Sequence, residues 1–274
     1  MPMSRRFAAL TPYEGYEDMI VEKKDGVVTV TLNRPEKLNA LSPGMRIGIK
    51  RILEDVNDDD DARVLVLTGA GRGFCSGADM VAAPAEGSPP PSRQEIEESR
   101  FGWIGRFRTM RKPVIAAVNG VAAGGGFSLA LACDVRIASD QARFVSAFVR
   151  RAILPDQSST WLLPHLVGTS RALLMLWLSD DVKAEEAMRI GLVDRVVPHD
   201  QLMARTMEIA NRLARGPSVT LELTKQAVYH AMGVSLETHA EYEENLHNKV
   251  HHTEDVKEGR LAFREKREPV FKGR

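Results

Sequence analysis

KPVIAAVNGVAAGGGFSLALACD, residues 112–134, is the stretch on which the fold turns. Its first part, Val114–Val118, is a short apolar run between Pro113 and Asn119-Gly120, the length and borders of a buried strand. Three glycines follow, Gly124, Gly125 and Gly126, and Phe127–Cys133 continues as an almost wholly apolar, buried helix. A glycine run feeding a helix start leaves backbone N–H groups aimed at one place, where the helix dipole favours negative charge. Such a place can hold an anion, or an oxygen that becomes one during a reaction. The same glycines also fit a tight turn that lets the helix lie close on the strand. Spacing alone does not choose between the two.

The whole chain sets the outer limits. Its 274 residues are enough for one large domain, or for a domain with a helical appendage. Hydrophobic residues at 43% and charged residues at 27% are ordinary for a soluble globular protein. Formal net charge is zero, so no global field draws the chain to nucleic acid or to a membrane surface. Cys75 and Cys133 are the only cysteines, which argues against a disulfide framework and for reduced thiols. No apolar run is long enough to span a bilayer, and Arg5 and Arg6 are not followed by a signal-type apolar core. A cytoplasmic protein is expected.

On the N-terminal side of the central stretch, the first dozen residues read as frayed. Met19–Glu22 and Val27–Leu32 flank Asp25-Gly26, a strong hairpin signal. Ser42 and Pro43 resemble an N-cap and first helical position, and Met45, Ile49, Ile52, Leu53 and Val56 follow at helical spacing. The acidic run Asp58–Asp61 is read as a solvated loop, since no partner ligands surround it for a metal. Val64–Leu67 is a short buried strand running into a second glycine-rich turn, GAGRGFCSGADM (69–80), in which Asp79 could cap the next helix. Ala82–Ser92 reads as a surface loop, and Glu95–Met110 resumes helical spacing.

On the C-terminal side, Val135–Ala138 is a strand and Phe144–Leu154 a mostly apolar segment that carries Arg150 and Arg151. Pro155-Asp156 marks a turn into a helix over Ser158–Leu166. Leu173–Leu178 is apolar, Lys183–Ile190 is a short helix ended by Gly191, and Leu192–Val197 returns as a strand. Everything after Pro198 is helical: a face marked by Leu202, Ile209 and Leu213, then Val219–Ala231, Leu236–Lys249 and Asp255–Lys266. Strands alternating with helices through residue 197 argue an α/β class. The division expected is 1–197 as core and 198–274 as a helical region packing partly on a neighbour. Lys257–Arg274 holds seven basic and three acidic residues, read as a solvated terminal helix or as a contact for a phosphorylated ligand.

Two glycine-rich turns after two buried strands, in this order, resemble the crotonase superfamily, the enoyl-CoA hydratase and isomerase family. The resemblance covers residues 17 to 272 and runs through LNRPEKLNAL (32–41), GRGFCSGADM (71–80), KPVIAAVNGVAAGGG (112–126), CDVRIAS (133–139), AEEAMRIGLVDRVV (184–197) and EGRLAFREKREPVF (258–271). It implies an α/β spiral of ββα repeats with a C-terminal helical trimerisation region, as a homotrimer or a dimer of trimers. It implies an acyl-CoA thioester substrate whose carbonyl oxygen lies between the backbone N–H groups of Ala78 and Gly125. It places CoA contacts at Arg34, Lys37, Leu38, Ser76, Ala78 and Asp79, and requires no metal or redox cofactor beyond the CoA of the substrate. For Arg34 and Lys37 the residues alone allow plain solubility as well.

The acid–base positions are where this sequence departs from the family. Hydratases of the family use two glutamates; the matching positions here are Ser128 and Phe148, which line the expected acyl pocket. A lone hydroxyl is no general base near neutral pH, and a phenyl ring transfers no protons. One acid stands nearby, Asp156. The string FVSAFVRRAILPDQSSTWLLPHLVG (144–168) is similar to the isomerase branch that includes the phenylacetate-pathway ring isomerase, in which an aspartate at this Pro-Asp position carries the proton. That branch commonly has glycine where Ala152, Ser158 and Ser159 stand here. Asp156 also fits a helix N-cap, and a carboxylate can fill both roles.

Among the other titratable residues, Asp134 is read as structural, paired with Arg136 or Arg143. Arg150, Arg151 and His165 are read as surface residues. His247, His251 and His252 have i, i+4 spacing without a third ligand in a fixed pattern, so a solvated face is preferred to zinc. The reading is an enoyl-CoA isomerase with Asp156 as acid and base. The alternatives are a 2-enoyl-CoA hydratase, or a catalytically degraded CoA- or RNA-binding relative; neutral charge argues against RNA.

Overall fold

The computed structural model describes residues 13–79 and 102–274. The expected frayed terminus, the loop over 82–92 and the start of the helix over 95–101 lie outside the described residues. Strands β1 (Met19–Lys24) and β2 (Val27–Leu32) form the antiparallel hairpin. Asp25 and Gly26 both take positive φ, 51° and 79°, as a two-residue turn matched to strand twist requires. Helix α1 (Pro43–Asp58) starts where the sequence says, with Ser42 Oγ accepting the Met45 N–H at 3.1 Å. Its apolar stripe from Met45 to Val56 is buried.

The chain then repeats one unit. Strands β3 (Val64–Gly69) and β4 (Gly73–Cys75) precede α2 (Gly102–Thr109). Strands β5 (Val114–Val118) and β6 (Val121–Ala123) precede α3 (Gly125–Ala132), and β7 (Val135–Ser139) and β8 (Arg143–Val145) precede α4 (Ser159–Val167). The first strand of each unit joins one sheet and the second joins another. With β9 (Val182–Lys183) and β10 (Arg195–Val197), the two sheets run β1-β2-β3-β5-β7-β10 and β4-β6-β8-β9. The unit strands are parallel within each sheet. This is a spiral of ββα turns.

Only a few residues separate the two strands of a unit, so buried polar side chains must satisfy the corners. Asn119, at the β5–β6 corner, accepts the Gly69 N–H at 3.1 Å and donates to the Gly71 and Gly73 carbonyls at 2.9 and 3.1 Å. Asn39, fully buried and left-handed (φ 57°), donates to Ala70 and Gly73 and accepts the Arg34 N–H. The two asparagines lock the 34–41 loop and successive corners together.

The first sheet is apolar on both faces, as a mainly parallel sheet covered on both sides must be. Leu65, Leu67, Val114, Ala116 and Val118 face the main core with α1 and α3. Their strand neighbours Val64, Val66, Ile115 and Ala117 face the other way, onto α7 (Leu202–Ala214). The helical region after Pro198 therefore shares a core with the spiral. The remaining helices are α5 (Thr169–Leu178), α6 (Ala184–Arg189), α8 (Ser218–Ala231), α9 (Leu236–His251) and α10 (Glu254–Glu265).

Two sequence expectations are corrected. The strand expected over 192–197 is shorter, because the N–H groups of Leu192 and Val193 turn back to Ala187 O at 2.8 and 3.3 Å. Asp134 pairs with neither Arg136 nor Arg143. It accepts from Lys225 Nζ (2.7 Å), Tyr229 Oη (2.7 Å) and the Val114 N–H (2.7 Å). Arg136 is taken up by the Leu192 and Cys133 carbonyls and by Asp194, and Arg143 by Asp181. Burial pulls Lys225 below the ordinary lysine range, and the adjacent Asp134 opposes that shift. The pair ties α8 to the end of α3. Removing one partner of such a buried pair typically costs ~3–5 kcal/mol.

Asn119→Ala is expected to lower unfolding stability by about 1–3 kcal/mol, since it leaves the buried Gly69 N–H without its acceptor, while Gly73 O keeps Asn39 as a donor. Urea denaturation checks this. A loss near zero would mean that the corners are held by something else.

Candidate active site

The two glycine-rich turns meet. Leu41 and Ala78 form a parallel bridge, with Leu41 N–H donating to Gly77 O (2.8 Å) and Asp79 N–H to Leu41 O (3.3 Å). In this pattern the N–H of the middle residue, Ala78, points away from Leu41. Gly125 opens α3, so its N–H has no partner within the helix. Neither amide has an acceptor among the described residues. The contact between the turns is close: a Cβ on Gly126 would lie 2.1 Å from Cys75 O, and one on Gly77 (φ 96°) only 3.2 Å from Gly125 N. Ala78 and Gly125 thus present two free donors side by side, at the positive end of a helix dipole.

Both donors line a cavity of about 160 Å³, together with Leu41, Arg46, Ser76, Gly77, Gly124, Ala147, Phe148, Arg151, Ile153, Asp156 and Gln157. Asp156 is the single carboxylate in that wall among the described residues. Its side chain does not cap α4: the Ser159 N–H and Oγ bind the backbone carbonyl of Asp156 instead, at 3.1 and 2.8 Å. The carboxylate is exposed, with the Gln157 amide nitrogen 3.4 Å away. Gln157 Oε1 is buried with no hydrogen-bond partner among the described residues.

The turn that presents Asp156 is strained. Ala152, Gln157 and Ser158 have φ of 52°, 53° and 61°, a region that side chains with a Cβ disfavour. That explains why glycines are expected at 152 and 158; Ser159, the first residue of α4, needs none. Ser128 and Phe148 separate. Phe148 forms part of the wall. Ser128 is fully buried behind it, its Oγ 3.3 Å from Gly124 O and 3.5 Å from Asp156 O. It therefore supports the aspartate turn from below.

The 34–41 loop is built as a clamp. Arg34 donates to Ala40 O and to Asp79, both at 2.8 Å, and lies 3.5 Å from Asp18. Its guanidinium is largely committed to shaping the turn. Asp79 is buried in that pairing, and Lys37, half-exposed, approaches it at 3.5 Å. Ser76 is tied to the loop through Leu38 O (2.9 Å) and Lys37 O (3.1 Å). Lys37, Leu38 and Ser76 thus form one surface beside Ala78.

Other candidates fall elsewhere. Burial pushes the Cys75 thiol up to about 12 and raises Cys133 further, so neither is a ready nucleophile. His165 is exposed and stacks on Trp161. His247 and His251 face each other at 3.1 Å on α9, and among the described residues no cluster of three metal-ligating side chains forms. A second cavity, near 380 Å³ between α8 and α4, has Asp134 as its only acid among the described residues, already bonded to three donors. Sequence reading assigned Arg151 to the surface and passed over Arg46. Both line the reactive cavity, a placement visible only once the 148–157 segment folds over Gly125.

Residues 22–274 match the enoyl-CoA hydratase/isomerase family. The chain belongs to that family. Over 256 residues it is 40% identical to the 1,2-epoxyphenylacetyl-CoA isomerase of Escherichia coli, covering 93% of this chain and 97% of that one. It is 38% identical to the short-chain-enoyl-CoA hydratase of Clostridium acetobutylicum, covering 91% and 95%. The solved enoyl-CoA hydratase of Bacillus anthracis superposes with a TM-score of 0.85 at 34% identity, over 94% of this chain and all of that one (100%). The family spans isomerases and hydratases, and no helix among the described residues is long and apolar enough to cross a membrane.

Ser158→Gly should raise stability by about 0.5–1 kcal/mol, the relief of a left-handed Cβ less the added chain entropy. Thermal unfolding reads this, and destabilisation would mean that the serine holds the turn by other means.

Proposed function

We propose that this family member shifts a double bond in an acyl-CoA thioester, with Asp156 carrying the proton. The observation behind this reading is the pairing, in one cavity, of two free backbone donors with a single carboxylate among the described residues. The thioester carbonyl accepts from the Ala78 and Gly125 N–H groups. Asp156 removes a proton from the carbon beside the carbonyl, and charge moves onto the oxygen as an enolate. Each aimed donor typically contributes ~3–4 kcal/mol at that stage. The protonated carboxyl then returns the proton two carbons further along, and the double bond ends conjugated with the carbonyl. Lys37, Leu38 and Ser76 contact the CoA portion, while Arg34 and Asp79 hold that surface in shape. No metal or redox group enters these steps.

Hydration of a 2-enoyl thioester asks for more. Water must be activated on one carbon and a proton delivered to the next, a task the family's hydratases divide between two glutamates. Here Ser128 is buried behind the wall and Phe148 is apolar. A lone aspartate suits relay of one proton along one face.

Asp156→Asn should lower conversion of 3-enoyl-CoA to 2-enoyl-CoA by at least ~100-fold, the lower end for losing a general base. Ser128→Ala should have a much smaller effect, because the hydroxyl reaches only the Gly124 and Asp156 backbone carbonyls and not the Asp156 carboxylate. Spectrophotometric turnover reads both. Wild-type rates from Asp156→Asn, or brisk hydration of 2-enoyl-CoA without isomerisation, would refute the reading.

The same reading includes assembly through exposed apolar residues. Trp177 and Leu178 on α5, Leu236 on α9 and Phe263 on α10 are 62%, 60%, 77% and 85% exposed in the single chain. Light scattering is expected to give a trimer or a multiple of three; a monomer at micromolar concentration would contradict it.

A further inference from the structure

The cavity between α4 and α8 takes no part in the chemistry just described. Gly125 opens α3 beside the reactive cavity, whereas Leu131 and Cys133 line this one, about 9 Å further along the helix. The two cavities share no lining residue. The wall is mainly apolar, built from Leu131, Leu162, Leu166, Leu221, Val228 and Met232.

Arg108 enters that wall from α2. Its guanidinium is stacked between two rings, 3.9 Å from the Trp161 centroid and 4.1 Å from the Tyr229 centroid. Trp161 belongs to α4 and Tyr229 to α8, so the arginine joins the two sides. Stacking occupies the faces of a guanidinium and leaves the N–H groups around its edge. The acceptor on that edge among the described residues is the Met232 sulfur, 3.3 Å from Nη2, and a thioether is a weak acceptor. The group is half-buried, and burial pulls it below the ordinary arginine range. The neighbouring cations are committed: Lys225 to Asp134 and to the Phe107 and Lys112 carbonyls, Arg136 to the Leu192 and Cys133 carbonyls and to Asp194.

A partly desolvated cation with its fork unused, set in an apolar wall, suits an anion that carries an apolar body. At near 380 Å³ the cavity is well above the ~150 Å³ that holds benzene, so the body has room to exceed one ring. We propose that the cavity between α4 and α8 is a second ligand site, for a free carboxylic acid with an apolar body. The carboxylate takes the edge of Arg108 in two hydrogen bonds, and the hydrocarbon lies against α4 and α8. This site is separate from the one that receives the thioester.

The test compares octanoate with 1-octanol by isothermal titration calorimetry on the intact protein. The two share a hydrocarbon body and differ in charge, so the ratio of their dissociation constants isolates the carboxylate. The wild type is expected to bind octanoate at least ~10-fold more tightly, more than an exposed ion pair usually gives. Saturating hexanoyl-CoA is expected to leave octanoate binding unchanged. Arg108→Gln is expected to bring the ratio close to one, and Val228→Trp, which fills the cavity from α8, to weaken both ligands. A wild-type ratio near one overturns the proposal, as does absence of octanoate binding at millimolar concentration. Displacement of octanoate by hexanoyl-CoA overturns it too, since the acid would then sit in the reactive cavity. So does a folded Arg108→Gln variant that keeps the wild-type ratio.

Discussion

The close approach of the Cys75–Ala78 turn to the start of α3 is the constraint on which the rest depends. Backbone lies on backbone there, and a single methyl group on Gly126 would collide with Cys75 O. The approach leaves the N–H groups of Ala78 and Gly125 adjacent and without acceptors. Ala78 is exposed and Gly125 half-buried, so both donors are open to a ligand or to water. The surrounding structure holds them in place: the Leu41–Ala78 bridge fixes one turn, the Asn39 and Asn119 networks fix the corners beneath it, and two sheets fix the distance between the strands. A donor site made of backbone needs such rigidity, since it has no side chain to adjust.

Against this rigid half stands a variable one. The segment 147–158 carries Asp156 on a turn with left-handed residues at Ala147, Ala152, Gln157 and Ser158. The turn is held by Ser159 and Ser128, both directed at the Asp156 carbonyl. Chemistry within the family follows from which side chain faces the two donors. Here one carboxylate does so, flanked by two arginines and a phenyl ring. In the proposed reaction the spiral would stabilise the enolate, and the loop would decide where the proton goes.

Much of the fold was legible in the sequence because its signals are local. Asp25-Gly26, Ser42-Pro43 and the apolar run Val114–Val118 each encode a turn, a cap or a strand within a few residues. The meeting of the two turns at Ala78 and Gly125 follows glycine-rich motifs whose backbone demands are also local. Long-range pairings were not legible. The partner of Asp134 is Lys225, 91 positions away, and nothing near Asp134 points to it. Ser128 reads as a pocket residue by position, yet helix phase turns it behind the wall. Arg150 and Arg151 are both exposed, as read, but only the fold shows that the 3₁₀ turn sends one to Asp181 and the other to the edge of the cavity.

The central claim is that two peptide N–H groups polarise a thioester carbonyl. Isotope-edited infrared difference spectroscopy of an acyl-CoA labelled with ¹³C at the thioester carbonyl reads that polarisation directly. The account predicts that the carbonyl stretch moves to lower frequency on binding than in water, in the wild type and equally in Asp156→Asn, because the donors are backbone. A bound carbonyl with the same frequency as in water would contradict it.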